Sequence, residues 1–126
     1  VAGAHRSDAD AQIGADFADD GRVVLAGLRF SANGAIDPSS RTRIRALAKL
    51  ISQSAGSFLV EGNVAPGGGT AAEQSRSEAQ AKAVKAALVD EGVDASRLFV
   101  LALGASRPPA AAGQGAAERV EVSRMQ

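Results

Sequence analysis

The sequence predicts an α/β fold, an α+β sandwich in which a mixed four-stranded sheet carries two helices on one face. Three observations lead there. Short apolar and β-branched runs alternate with longer stretches of helical spacing in the order β-α-β-α-β-β. Two β-α-β crossovers favour parallel neighbours, and a final hairpin-like return makes the sheet mixed. Of 126 residues, 28 are alanine and only 28 are Val, Ile, Leu or Phe, which suffices for the lean core of one small domain.

Residues 1–20 hold Asp8, Asp10, Asp16, Asp19 and Asp20 against Arg6, without a sustained apolar period, and read as a mobile leader before a domain at 21–126. Val23-Val24-Leu25-Ala26-Gly27-Leu28 is the first strand. Asp37-Pro38 supplies an N-cap and a proline at the first helical position. Ile44, Leu47, Leu50 and Ile51 then mark one face of helix one, with Arg41, Arg43, Arg45 and Lys49 as its solvated face. Gly56 closes that helix, and residues 58–64 form the second strand.

Pro66-Gly67-Gly68-Gly69 cannot hold regular structure and reads as a flexible loop. Thr70 and Glu73 have the spacing of a capping box that opens helix two over 71–91. Ala81, Val84 and Leu88 give it a thin apolar stripe, and Gly92-Val93 a left-handed stop. The continuous apolar run at 98–103 reads as a strand covered on both faces or in a packed central position. A Pro, Ala and Gly loop over 106–114 precedes Arg119-Val120-Glu121-Val122-Ser123-Arg124, whose strict alternation reads as a half-exposed strand.

Chemistry is sparse. The absence of cysteine excludes a disulfide framework, a thiolate nucleophile and a cysteine-ligated metal. His5, the single histidine, lies in the leader and has no second ligand or triad partner, so neither a catalytic set nor a metal site can be assembled. Gly67-Gly68-Gly69 follows a strand and precedes a helix, but Thr70-Ala71-Ala72 brings no lysine to a phosphate. Fourteen basic residues balance 14 acidic ones, and four phenylalanines are the only aromatics, which argues against a nucleic-acid surface. No window reaches the length of a membrane-spanning helix. The chain opens on Val1 with no signal segment and reads as a portion of a longer protein, so any membrane attachment would come from a segment outside it. No cofactor is expected.

Phe30-Ser31-Ala32-Asn33-Gly34-Ala35-Ile36-Asp37-Pro38, together with the second strand, its loop and the second helix, resembles the OmpA-like C-terminal domain family. That family includes the peptidoglycan-associated lipoproteins and flagellar stator proteins. The resemblance covers roughly 21–124. Val60, Gly62, Ser77, Ala81, Val84, Leu88, Gly92-Val93, Gly104, Pro108 and the closing Arg119-Val120-Glu121 match its scaffold. It implies a non-enzymatic periplasmic domain that binds the diaminopimelate of peptidoglycan with a motif aspartate and a motif arginine.

The site positions depart from that pattern. Gly-His-Thr-Asp reads Gly62-Asn63-Val64-Ala65, and the helix motif Asn-x-x-Leu-Ser-x-x-Arg-Ala reads Glu73-Gln74-Ser75-Arg76-Ser77-Glu78-Ala79-Gln80-Ala81. Ala65 thus stands for the aspartate and Gln80 for the arginine. A zwitterionic ligand needs an acceptor-only anion and a planar donor fork. Losing two charge-assisted contacts costs roughly 3 to 6 kcal/mol, on the order of a hundred- to ten-thousandfold in affinity. The ligand positions implied by the resemblance are Asn63, Val64, Ala65, Arg76 and Gln80. The expectation is a structural or protein-interaction module of the cell envelope, with peptidoglycan binding weak or lost and another envelope protein as partner. The alternative is a rewired peptidoglycan pocket that uses Arg76 with Glu61 or Glu73.

Overall fold

The structure is a computed structural model that describes residues 21–26, 28–30, 34–106 and 119–125. Residues 1–20 with His5, Gly27 of the expected first strand, residues 31–33 and residues 107–118 with Pro108 lie outside the described residues. Six main elements follow in order: β1 (Arg22–Ala26), α1 (Arg41–Ser52), β2 (Phe58–Asn63), α2 (Thr70–Asp90), β3 (Leu98–Ala102) and β4 (Arg119–Arg124). They build the expected mixed four-stranded sheet with two helices.

The strand order is β1-β4-β2-β3. β4 runs antiparallel to both β1 and β2, and β2 is parallel to β3. The registers align Val23, Val122, Val60 and Val100 across one face, and on that face the valines meet Ile44, Leu47 and Ile51 of α1 and Ala81, Val84 and Leu88 of α2 in one core. Both helices therefore cover the same side of the sheet. Alternation sends Arg22, Glu61, Arg119 and Glu121 to the other side.

Local chemistry sets the element ends. Asp37 caps a single 3-10 turn at Pro38–Ser40, accepting from the Ser39 amide at 3.0 Å, and α1 continues from it. α2 stops as Gly92-Val93 predicts: Gly92 has φ +107°, its amide donates to Val89 O, and the Val93 amide reaches back to Leu88 O at 3.1 Å. This double bond pattern, with Val93 and Leu88 both buried, is a Schellman stop.

Several sequence expectations are corrected. β3 is an edge strand, with Phe99 and Leu101 48% and 41% exposed, because the helices cover only one face of the sheet. β4 does not return on β3 as a hairpin and is not half-exposed. It inserts between β1 and β2, and its outward Arg119 and Glu121 are buried as an ion pair at 2.6 Å. The capping box does not form: Gly69 is the N-cap of α2, which begins at Thr70. α1 ends at Ser52 with Gln53 as C-cap, ahead of Gly56. Arg41 and Arg45 are not merely solvated, since both reach Glu91 at the end of α2, at 3.4 and 3.3 Å. Arg43 lies half-buried, and burial lowers its pKa.

Candidate ligand-binding site

The candidate site lies where β2 runs through a loop into α2. Its first requirement is close approach of strand and helix, which Gly62 meets. A Cβ on Gly62 would fall 2.0 Å from the Ser77 carbonyl oxygen, so no other residue fits without moving α2 away from the sheet. Ser77 is fully buried; its hydroxyl donates to Gln74 O and accepts from the Gly104 amide, each at 2.9 Å. The end of β3 is thereby tied to α2. Gln74 Nε2 adds a bond to Ala102 O at 2.8 Å, a contact that a lone glutamine on a helix does not announce in sequence.

Of the five sequence-named positions, the structure brings Ala65 and Arg76 together. Arg76 Nη2 donates to Ala65 O and Nη1 to Gly67 O, both at 2.9 Å. Glu73 Oε2 accepts from the Gly67 amide at 2.7 Å. The glycine loop, expected to be flexible, is thus gripped from both sides by one cation and one anion of the first two turns of α2. Gly68 lies against this grip: with φ +86°, a Cβ there would sit 3.2 Å from Ala72 Cβ.

Gln80, half-buried, follows Arg76 by one turn on the same helix face. Val64 is buried and its amide donates to Gly104 O at 2.9 Å, which makes it part of the frame. Asn63 is placed apart from the others. Strand alternation directs it to the sheet face opposite Gly62 and α2, where it is fully buried across from Arg119. Its Nδ2 makes a long 3.4 Å bond to Glu61 O, and its Oδ1 has no hydrogen-bond partner among the described residues.

The charges weighed for a rewired pocket all have protein partners. Arg76 holds two loop carbonyls, Glu73 holds the Gly67 amide, and Glu61 receives Arg22 Nη2 at 3.2 Å. Among the described residues no group of three His, Cys, Asp or Glu can hold a metal ion. The side chains at 65 and 80 themselves offer a methyl group and a neutral amide.

A family model, the OmpA family, matches residues 30–121. The chain belongs to the OmpA family. Solved structures with the OmpA-like fold align over most of its length. The periplasmic domain of Helicobacter pylori MotB (residues 78-256) superposes with a TM-score of 0.67 at 20% identity, covering 86% of this chain and 79% of that one. The peptidoglycan-associated lipoprotein from Burkholderia pseudomallei gives 0.63 at 20% identity, covering 82% and 89%. The OmpA-like domain of FopA1 from Francisella tularensis gives 0.65 at 18% identity, covering 83% and 75%. A search of curated protein sequences gives no match. In this OmpA-family chain Gly62 lies directly against the Ser77 carbonyl and the Ser77 hydroxyl holds the Gly104 amide, while positions 65 and 80 are alanine and glutamine.

Proposed function

We propose that this chain is a non-enzymatic OmpA-like module of the cell envelope that keeps the peptidoglycan-binding fold but not the diaminopimelate clamp, and that it serves as a structural or protein-interaction unit. The observation that carries this reading is the pairing of Ala65 and Gln80 at the two charged positions, beside a loop whose nearest charges, Arg76 and Glu73, are already bonded to the loop itself. A ligand ammonium finds no carboxylate at position 65, and a ligand carboxylate finds no guanidinium at position 80. To recruit Arg76 it would have to compete with two backbone carbonyls.

The structural neighbours include a periplasmic domain and a peptidoglycan-associated lipoprotein, which supports an envelope location. No helix among the described residues is long and apolar enough to cross a membrane, so on this reading attachment comes from outside the chain. The rewired pocket has no observation in its favour, since each of its charges has a partner within the fold.

Cosedimentation with purified peptidoglycan tests the proposal. The wild-type chain is expected to stay in the supernatant, and the double substitution Ala65→Asp with Gln80→Arg to move it to the pellet. Wild-type pelleting would refute the loss of the clamp, and a double variant that stays soluble would refute the claim that the scaffold remains competent.

A further inference from the structure

β3 is an edge strand, and among the described residues no strand pairs with its second side. Its first side is bonded to β2, where the Leu103 amide donates to Gly62 O at 3.0 Å. In a parallel ladder this fixes the alternation, so the amides and carbonyls of Leu98, Val100 and Ala102 point to the open side. Natural sheets protect such an edge with charged side chains or proline. Neither stands in Leu98-Phe99-Val100-Leu101-Ala102-Leu103, and Phe99 and Leu101 are exposed.

The edge is narrowed from both ends instead. At its start the Leu98 amide donates to Ala95 O of the preceding 3-10 turn, and Leu98 is buried. At its end Gln74, an exposed residue of α2, donates from Nε2 to Ala102 O at 2.8 Å and lies against Gly104, its Oε1 3.3 Å from where a Cβ there would sit. A nitrogen at that distance from an outward carbonyl occupies the place of a neighbouring strand's amide. The groups left open between these ends are the amide and carbonyl of Val100 and the amide of Ala102.

We propose that the β3 edge is a self-association surface held shut by Gln74, on which a second copy of this chain pairs antiparallel about a two-fold axis at Leu101. The register follows from the groups that are available. An axis at Val100 would call on Leu98, whose amide is already committed. An axis at Leu101 sets Val100 opposite the partner's Ala102 and needs only those two residues, each exchanging an amide and a carbonyl with the other. Two of the four bonds so formed require Ala102 O, the atom that Gln74 holds. Leu101 then lies beside the partner's Leu101 on the outer face and Phe99 across from the partner's Leu103, so exposed apolar surface is covered and no charge meets a like charge within the paired segment. This self-complementarity is what fits the edge to a second copy. The inference is independent of the clamp, since Gln74 bonds the end of β3 and not the glycine loop.

The chain has no cysteine, so Leu101→Cys places a single thiol at the proposed axis, where facing residues lie about 4.5 Å apart and can form a disulfide. Phe99→Cys is the control: it is similarly exposed, but its counterpart in the second copy lies about 13 Å further along the strand. Both are made in the full-length chain with and without Gln74→Ala, a substitution that an exposed helix position accepts. Sedimentation is expected to show a monomeric wild type and self-association tightened at least roughly tenfold by Gln74→Ala. Oxidation should then cross-link Leu101→Cys in the Gln74→Ala background, far less with Gln74 in place, and Phe99→Cys in neither. A Gln74→Ala chain that stays monomeric at the same concentrations, cross-linking of Leu101→Cys as readily with Gln74 present, or equal cross-linking through Phe99→Cys would overturn the proposal.

Discussion

At the scale of single residues, Gly62 and Arg76 do opposite kinds of work. Gly62 matters through what it lacks: its missing Cβ lets the Ser77 carbonyl come close enough for α2 to rest on β2. Gly62→Ala is expected to destabilise the fold by about 2 kcal/mol or more, read from the urea midpoint, because a backbone oxygen cannot rotate aside as a side chain can. Arg76 matters through what it holds. Arg76→Ala should lower stability only by roughly 1 kcal/mol, since the bonds it loses are partly solvated, while amide exchange at Gly67, Gly68 and Gly69 rises sharply. An unchanged exchange pattern in that variant would show that the glycine loop is held by something else.

At the scale of elements, the ends of α2 and the centre of β4 carry the argument. Gly92 takes a backbone conformation that side chains avoid, so Gly92→Ala should cost about 1 kcal/mol by thermal unfolding. β4 brings an acid into a charged row. Burial pushes the Glu121 carboxyl up, but hydrogen bonds from Arg119 and Arg22, aided by their charges, more than offset this and hold it below its ordinary 4.5. A carboxyl depressed in the folded state stabilises the fold fully above the unfolded value and loses that contribution as pH falls through the folded one. Stability should therefore decline below about pH 4.5, with Glu61, Arg22 and Arg119 as the neighbouring charges. Glu121→Gln should lower the melting temperature at neutral pH and flatten that acid limb; an equally steep limb would assign it to other carboxyls.

These elements also show what sequence reveals and what it hides. α1 was legible because Ile44, Leu47 and Ile51 repeat at helical spacing, and the stop of α2 because glycine followed by a buried valine has few other uses. The positions of β3 and β4 in the sheet were not legible. Apolar content in 98–103 suggests a centre, and alternation in 119–124 suggests a surface, yet β4 pairs with both β1 and β2, and its outward Glu121 is met by Arg22 from β1, a long-range contact that local pattern does not reveal. The capping box failed for a related reason. Glu73 has the correct spacing, but the Gly67 amide in the folded loop offers it a competing donor at 2.7 Å.

At the scale of the whole molecule, the lean composition and the proposed loss of the clamp are distinct matters. The large apolar residues concentrate between one sheet face and two helices, which is sufficient for an OmpA-family fold. Ala65 and Gln80, both half-buried, are not part of that core cluster. The candidate positions can be named from their order in the chain, but the grip of Arg76 and Glu73 on the glycine loop cannot, since spacing alone does not choose between ligand, solvent and loop backbone.

The central claim is that the fold persists without its diaminopimelate clamp. It is tested most directly by titrating the wild-type chain with diaminopimelate while following backbone amide shifts. The account predicts no saturable shifts among residues 63–80 up to millimolar ligand. Saturable shifts clustered there, and abolished by Arg76→Ala, would contradict it.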